Sequence, residues 1–155
     1  MIDRVARITL AEQIRHLVAG LTTNDEFEER VLDVETADRA YWAVVDQAWY
    51  LYSDLHRHKL TGSRALSKND RRIISTFILF LHSDLEYEWT EHPCTGVPRI
   101  ILGIVSLGWL PKHFDERWKL QGDYEVYPFF RLSDFDKARA HPRLLAGRNR
   151  LTQCG

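Results

Sequence analysis

The chain is short of several features that would point straight to a chemistry. It has two cysteines, Cys94 and Cys154, among 155 residues, and Cys154 stands next to last in a polar stretch. Neither a disulfide framework nor a paired CxxC zinc motif is therefore expected. The eight glycines are scattered singly, with no GxGxxG and no GxxxxGK[ST], so the usual phosphate-cradling turns of nucleotide sites are missing. Charge of one sign is also missing: 21 Lys and Arg face 22 Asp and Glu. No global field draws such a chain to nucleic acid or to an anionic membrane. Long apolar runs are absent too. Residues 73–81 and 97–109 fall short of the roughly 20 residues that span a bilayer, and Ser75, Thr76, Arg99 and Ser106 interrupt them. The opening MIDRVARITLAEQIRHL has no apolar segment followed by small residues, which leads to the expectation of a cytoplasmic protein.

What the chain does have is aromatic and helical. Five Trp, six Tyr and seven Phe argue for a packed core rather than disorder. Thr9 with Glu12, Thr23 with Glu26, Ser67 with Asp70 and Ser133 with Asp136 have capping-box spacing and predict four helix starts. Apolar periodicity predicts helices over 10–19 with Gly20 as C-cap, 24–32, 37–55, 68–82 and 134–140, and Pro98 suits the first turn of another ending near Gly108. Tyr124, Val126 and the aromatic pair after Pro128 read as a short extended segment. The fold class is mainly α: a single compact helical domain of about five to seven helices, with room for a short extended segment or hairpin. It is expected to occupy 1–142, followed by a mobile basic tail over 143–155 that contains Arg143, Arg148 and Arg150.

One stretch concentrates unusual chemistry. In IISTFILFLHSDLEYEWTEH, residues 73–92, an apolar helix runs into Asp84, Glu86, Glu88 and Glu91, interleaved with Leu85, Tyr87 and Trp89 and with no Lys or Arg among them. Four like charges this close repel one another unless solvent, a cation or a basic partner offsets them. If extended, Asp84, Glu86 and Glu88 share one face; if helical, Asp84, Glu88 and His92 line up. A second acidic stretch, Asp25, Glu26, Glu28, Glu29, Asp33 and Glu35, surrounds a single Arg30.

The same region offers ligand types for a transition metal. His82 and Glu86 are four apart, as are Glu88 and His92, with His56, His58 and Cys94 as further donors, but no HExxH accompanies them. Two of Glu86, Glu88 and Glu91 could form a glycosidase-like pair, as almost any acidic loop could. Ser75, Ser83 and Ser106 lie in no GxSxG elbow. The alternative that the acids are merely solvated, with Tyr87 and Trp89 turned into the core, is the plainest reading of the alternation.

FLHSDLEYEW at 80–89 and GDYEVYPFFRLSDFDKA at 122–138 resemble segments of small bacterial proteins whose character is similar to immunity proteins of polymorphic toxin systems. The resemblance implies a non-enzymatic protein without cofactor that binds a cognate, often basic, toxin. The surface expected to do so comprises Asp84, Glu86, Tyr87, Glu88, Trp89 and Glu91, since aromatics anchor and charges steer. A metal-dependent hydrolase using His82, Glu86, Glu88 and His92 is the alternative. A subunit of a larger assembly, joined through Trp109, Phe114 and Trp118, is a third. Neither nucleic acid nor membrane is an expected partner, and the oligomeric state is left open.

Overall fold

The structure is a computed structural model that describes residues 1–53, 55–90 and 115–141. It is mainly helical, and no strand occurs among the described residues. Helix α1 spans Arg4–Val18, α2 Asn24–Leu32, α3 Arg39–Ala48, α4 Lys68–Leu81 and α5 Leu132–Ala140. Residues 115–119 are also helical, and single 3-10 turns form at Trp49–Leu51, Gly62–Arg64 and Tyr124–Val126. Helix α1 is central: it packs against α2, α3 and α4. Its apolar face, Ala6, Leu10, Ala11, Ile14 and Leu17, meets Phe27 and Val31 of α2, Tyr41, Val44 and Val45 of α3, and Ile74, Phe77 and Leu81 of α4. A smaller cluster joins Leu79 and Phe80 of α4 to Val126, Phe129 and Ala138, with Leu85, Tyr87 and Phe135 against it.

Two helix starts follow the expected chemistry. Thr23 and Glu26 form a reciprocal capping box at α2, and Ser67 and Asp70 form one at α4. The other two differ. Helix α1 begins before Thr9, because Asp3 takes the N-cap and its Oδ1 accepts from the Ala6 amide at 3.0 Å. Helix α5 starts at Leu132 without a side-chain cap of its own, and its first amide donates instead to Asp123 Oδ2 at 2.6 Å. In both places a carboxylate takes the amide in preference to the expected hydroxyl, since a charged acceptor makes the stronger bond.

Gly20 ends α1 as expected. At φ +66° it makes the left-handed turn of a Schellman motif, with Gly20 N–H donating to Leu17 O and Leu21 N–H to His16 O. The expected helix over 37–55 is a correction: α3 stops at Ala48, one 3-10 turn follows, and Leu55 is 86% exposed. Buried Asn24 draws the chain away by donating Nδ2 to the carbonyls of Ser53 and His56. The extended reading of Tyr124 and Val126 is likewise corrected to a 3-10 turn. The expected helix after Pro98, the tail over 143–155, Trp109, Phe114 and both cysteines lie outside the described residues. Among the described residues, no helix is long and apolar enough to cross a membrane.

Candidate functional site

Helix α4 stops at Leu81, and residues 84–90 are neither helix nor strand. Their side chains alternate as those of an extended chain do. Ser83 and Trp89 are buried and Leu85 and Tyr87 half-buried, while Asp84, Glu86, Glu88 and Thr90 are exposed. The result is a ridge with carboxylates outward and rings inward.

Arg7 holds the start of this ridge. It falls on the buried face of α1, at the spacing of Leu10, Ala11 and Ile14, and is 1% exposed. Its guanidinium forks onto Asp38, with Nε to Oδ2 at 2.6 Å and Nη2 to Oδ1 at 3.0 Å. The remaining nitrogen, Nη1, donates to the carbonyls of Leu85 at 2.8 Å and Ser83 at 3.3 Å. The guanidinium also lies 5.5 Å from the Phe80 ring centre. Asp38 is equally enclosed and accepts from the amides of Asp3 and Ala40. Burial alone would raise the Asp38 pKa, but the Arg7 hydrogen bond and charge and the two amides outweigh it and hold it below the ordinary value. One buried ion pair thus ties together α1, the α2–α3 connection and the ridge.

The far end of the ridge is held by aromatics. Trp89 is 0% exposed, tilted against Trp118 and edge-on to Tyr124, Tyr127 and Phe130, and its Nε1 donates to the carbonyls of Pro128 and Phe129. Tyr87 and Tyr127 share a hydroxyl–hydroxyl bond of 2.9 Å, and burial pushes both phenols upward. Arg39 donates to the Trp89 carbonyl and faces the Tyr87 ring. Trp89 is therefore a core residue and no partner-facing anchor, which removes it from the expected contact surface.

The outward carboxylates are not unopposed. Asp84 pairs with Arg4 at 2.5 Å, Glu86 with the N-terminal ammonium at 3.5 Å, and Glu88 with Arg131 through two bonds of 2.8 Å. These cations come from parts of the chain 80, 85 and 43 residues away, out of sight of any local reading. Glu91 lies outside the described residues.

The acidic stretch at α2 has a different surround. Glu26 is used twice within the molecule, accepting from the Thr23 amide, which is the main cause of its lowered pKa, and pairing with Arg57 at 2.7 Å. Asp25, Glu28, Glu29, Asp33 and Glu35 have no ion-pair partner among the described residues. Asp25, Glu29 and Asp33 recur every fourth residue and are exposed, so neighbours along this stripe repel. Asp33 caps the C-terminal end of α2, where the helix dipole disfavours negative charge.

The residues of the metal alternative have separate partners. His82 caps α4, and its Nε2 accepts from Arg15 at 3.2 Å; burial first and the Arg15 charge second lower its pKa. Glu86 and Glu88 are paired as above, and His92 lies outside the described residues. Among the described residues no group of three or more His, Cys, Asp or Glu comes together. His56 and His58 lie together in the α3–α4 connection, their ring centres 6.2 Å apart.

Sequence reasoning missed Arg7 and Asp38. A charged residue at an apolar position of α1 was the available signal for the first. No family model matches the chain, and no curated protein or solved structure matches it.

Proposed function

We propose that this chain is a non-enzymatic, cytoplasmic protein-binding domain that recognises a basic protein, in the manner of an immunity protein that neutralises a toxin. The observation that carries the reading is the uncompensated carboxylate stripe Asp25, Glu29 and Asp33, with Glu28 and Glu35 beside it. The stripe costs α2 some stability through i,i+4 repulsion and an unfavourable dipole contact. A basic partner would convert that repulsion into attraction and would be steered to it over a Debye length. The exposed side chains of Leu21 and Leu32 add apolar area at the two ends of the helix.

The ridge carboxylates Asp84, Glu86 and Glu88 serve this reading less directly, because a partner must compete with Arg4, the N-terminal ammonium and Arg131. Exposed pairs of this kind are weak, so exchange is feasible, yet net attraction is reduced. Tyr87 contributes from beneath the ridge and Trp89 only through its support. The test is co-purification from the source cells at low and moderate salt, with wild type, Glu29→Lys/Asp33→Lys and Glu86→Lys/Glu88→Lys. A single basic protein should be retained by wild type, lost with the α2 double variant and partly kept by the ridge variant. Equal retention by all three forms, or a partner without a basic surface, would sink the proposal.

A further inference from the structure

The connection between α3 and α4 builds a second site that the acidic surfaces do not use. Asn24, the first residue of α2, is 1% exposed and organises this connection through its backbone. Its Nδ2 donates to Ser53 O and His56 O at 3.3 Å, its Oδ1 accepts from His58 N–H at 2.8 Å, and its own amide donates to His58 O at 3.1 Å. Four bonds from one buried residue hold the backbone at Ser53, His56 and His58.

Those side chains border an open cavity of about 390 Å³, lined among others by Tyr50, Tyr52, Ser53, His56, His58 and Arg64. That volume lies in the range of small-molecule sites. Arg64 Nη2 donates to His56 Nε2 at 3.2 Å. A guanidinium has no acceptor, so this His56 nitrogen offers its lone pair and the ring proton is on Nδ1. His58 Nδ1 lies 2.9 Å from the His56 carbonyl and donates to it. The neighbouring Arg57 is taken by Glu26, whereas Arg64 has no carboxylate partner among the described residues. Arg64 thus places a positive charge beside two phenol rings and the apolar side chains of Leu51 and Leu60.

We propose that this cavity binds a small aromatic anion, with Arg64 on an oxyanion head and the tyrosines along an aromatic body. A guanidinium fork matches two oxygens of a phosphate or carboxylate, and the bond from Nη2 to His56 restrains it. The proposal is independent of the acidic surface, since it uses other residues and an opposite ligand charge.

Phenyl phosphate is the probe, titrated into the full chain while the imidazole resonances of His56 and His58 are followed by NMR, with calorimetry for affinity. Saturable shifts at both rings are expected. Arg64→Gln should weaken binding about tenfold or more, as loss of a charged hydrogen bond does, and Arg64→Lys should recover part of it. Tyr50→Ala should weaken phenyl phosphate while leaving inorganic phosphate unaffected. Absence of saturable shifts in wild type would overturn the proposal, as would equal affinity of wild type and Arg64→Gln. Arg64 and Tyr50 are exposed, and an unchanged circular dichroism spectrum of each variant secures the comparison.

Discussion

In the ridge at 84–88 each carboxylate has a cation beside it, whereas along α2 five carboxylates have none among the described residues. Both stretches read alike as acidic runs with little basic residue among them. The difference arises from the fold. The ridge runs past the start of α1 and the loop before α5, which supply Arg4, the ammonium of Met1 and Arg131. The stripe on α2 faces solvent. Like-charge repulsion is therefore answered inside the molecule in one place and left for something outside it in the other, and only the second is expected to favour a basic partner strongly.

The largest effect should come from the residue that makes the ridge possible. Arg7→Met leaves Asp38 buried with no cation and releases the carbonyls of Ser83 and Leu85. It should cost about 3–5 kcal/mol in urea unfolding, the range for breaking a buried pair. Pairing it with Asp38→Asn, which removes the buried charge but keeps an acceptor for the Asp3 and Ala40 amides, should restore part of the loss, and α2 should keep its helical signals throughout. Acidification probes the same pair. The Asp38 pKa is depressed in the folded state relative to about 3.9 in the unfolded chain. The stability it contributes is fully present above that value and is lost as the pH falls through the folded-state value. Stability curves of wild type should fall more steeply below about pH 4 than those of Arg7→Met/Asp38→Asn.

Association with the proposed basic partner comes next in size. Glu29→Lys/Asp33→Lys should slow it about tenfold at low salt, with the gap closing as salt is raised. Glu86→Lys/Glu88→Lys should slow it less. The smallest effect is on stability at α2: Asp33→Lys should stabilise the fold by about 0.3–1 kcal/mol, because a cation suits the helix C-terminus. A destabilised Asp33→Lys would mean that the carboxylate has an internal role.

Much of the architecture was legible in the sequence. The boxes at Thr23 and Ser67, the glycine at position 20 and the 3.6-residue periodicity of α1 and α4 are local signals, and local signals suffice for them. Alternation over 84–89 was compatible with helix and with extended chain, and the burial of Trp89 departs from the contact surface expected of it. Long-range competition was not legible. Asp123 displaced Ser133, and Asn24 ties down the chain beyond α3 from another element, whereas the Asp3 cap of α1 is a local feature. The neutralising cations of the ridge were hidden for the same reason, since their partners are distant in sequence and only packing brings them near.

The matched and unmatched surfaces are best tested by equilibrium urea unfolding at low salt of Glu29→Lys/Asp33→Lys and Glu86→Lys/Glu88→Lys, each against wild type. Opposite signs are expected: the α2 variant gains stability by relieving repulsion, and the ridge variant loses it by setting lysines against Arg131 and the N-terminal ammonium. Two shifts of the same sign would contradict the account.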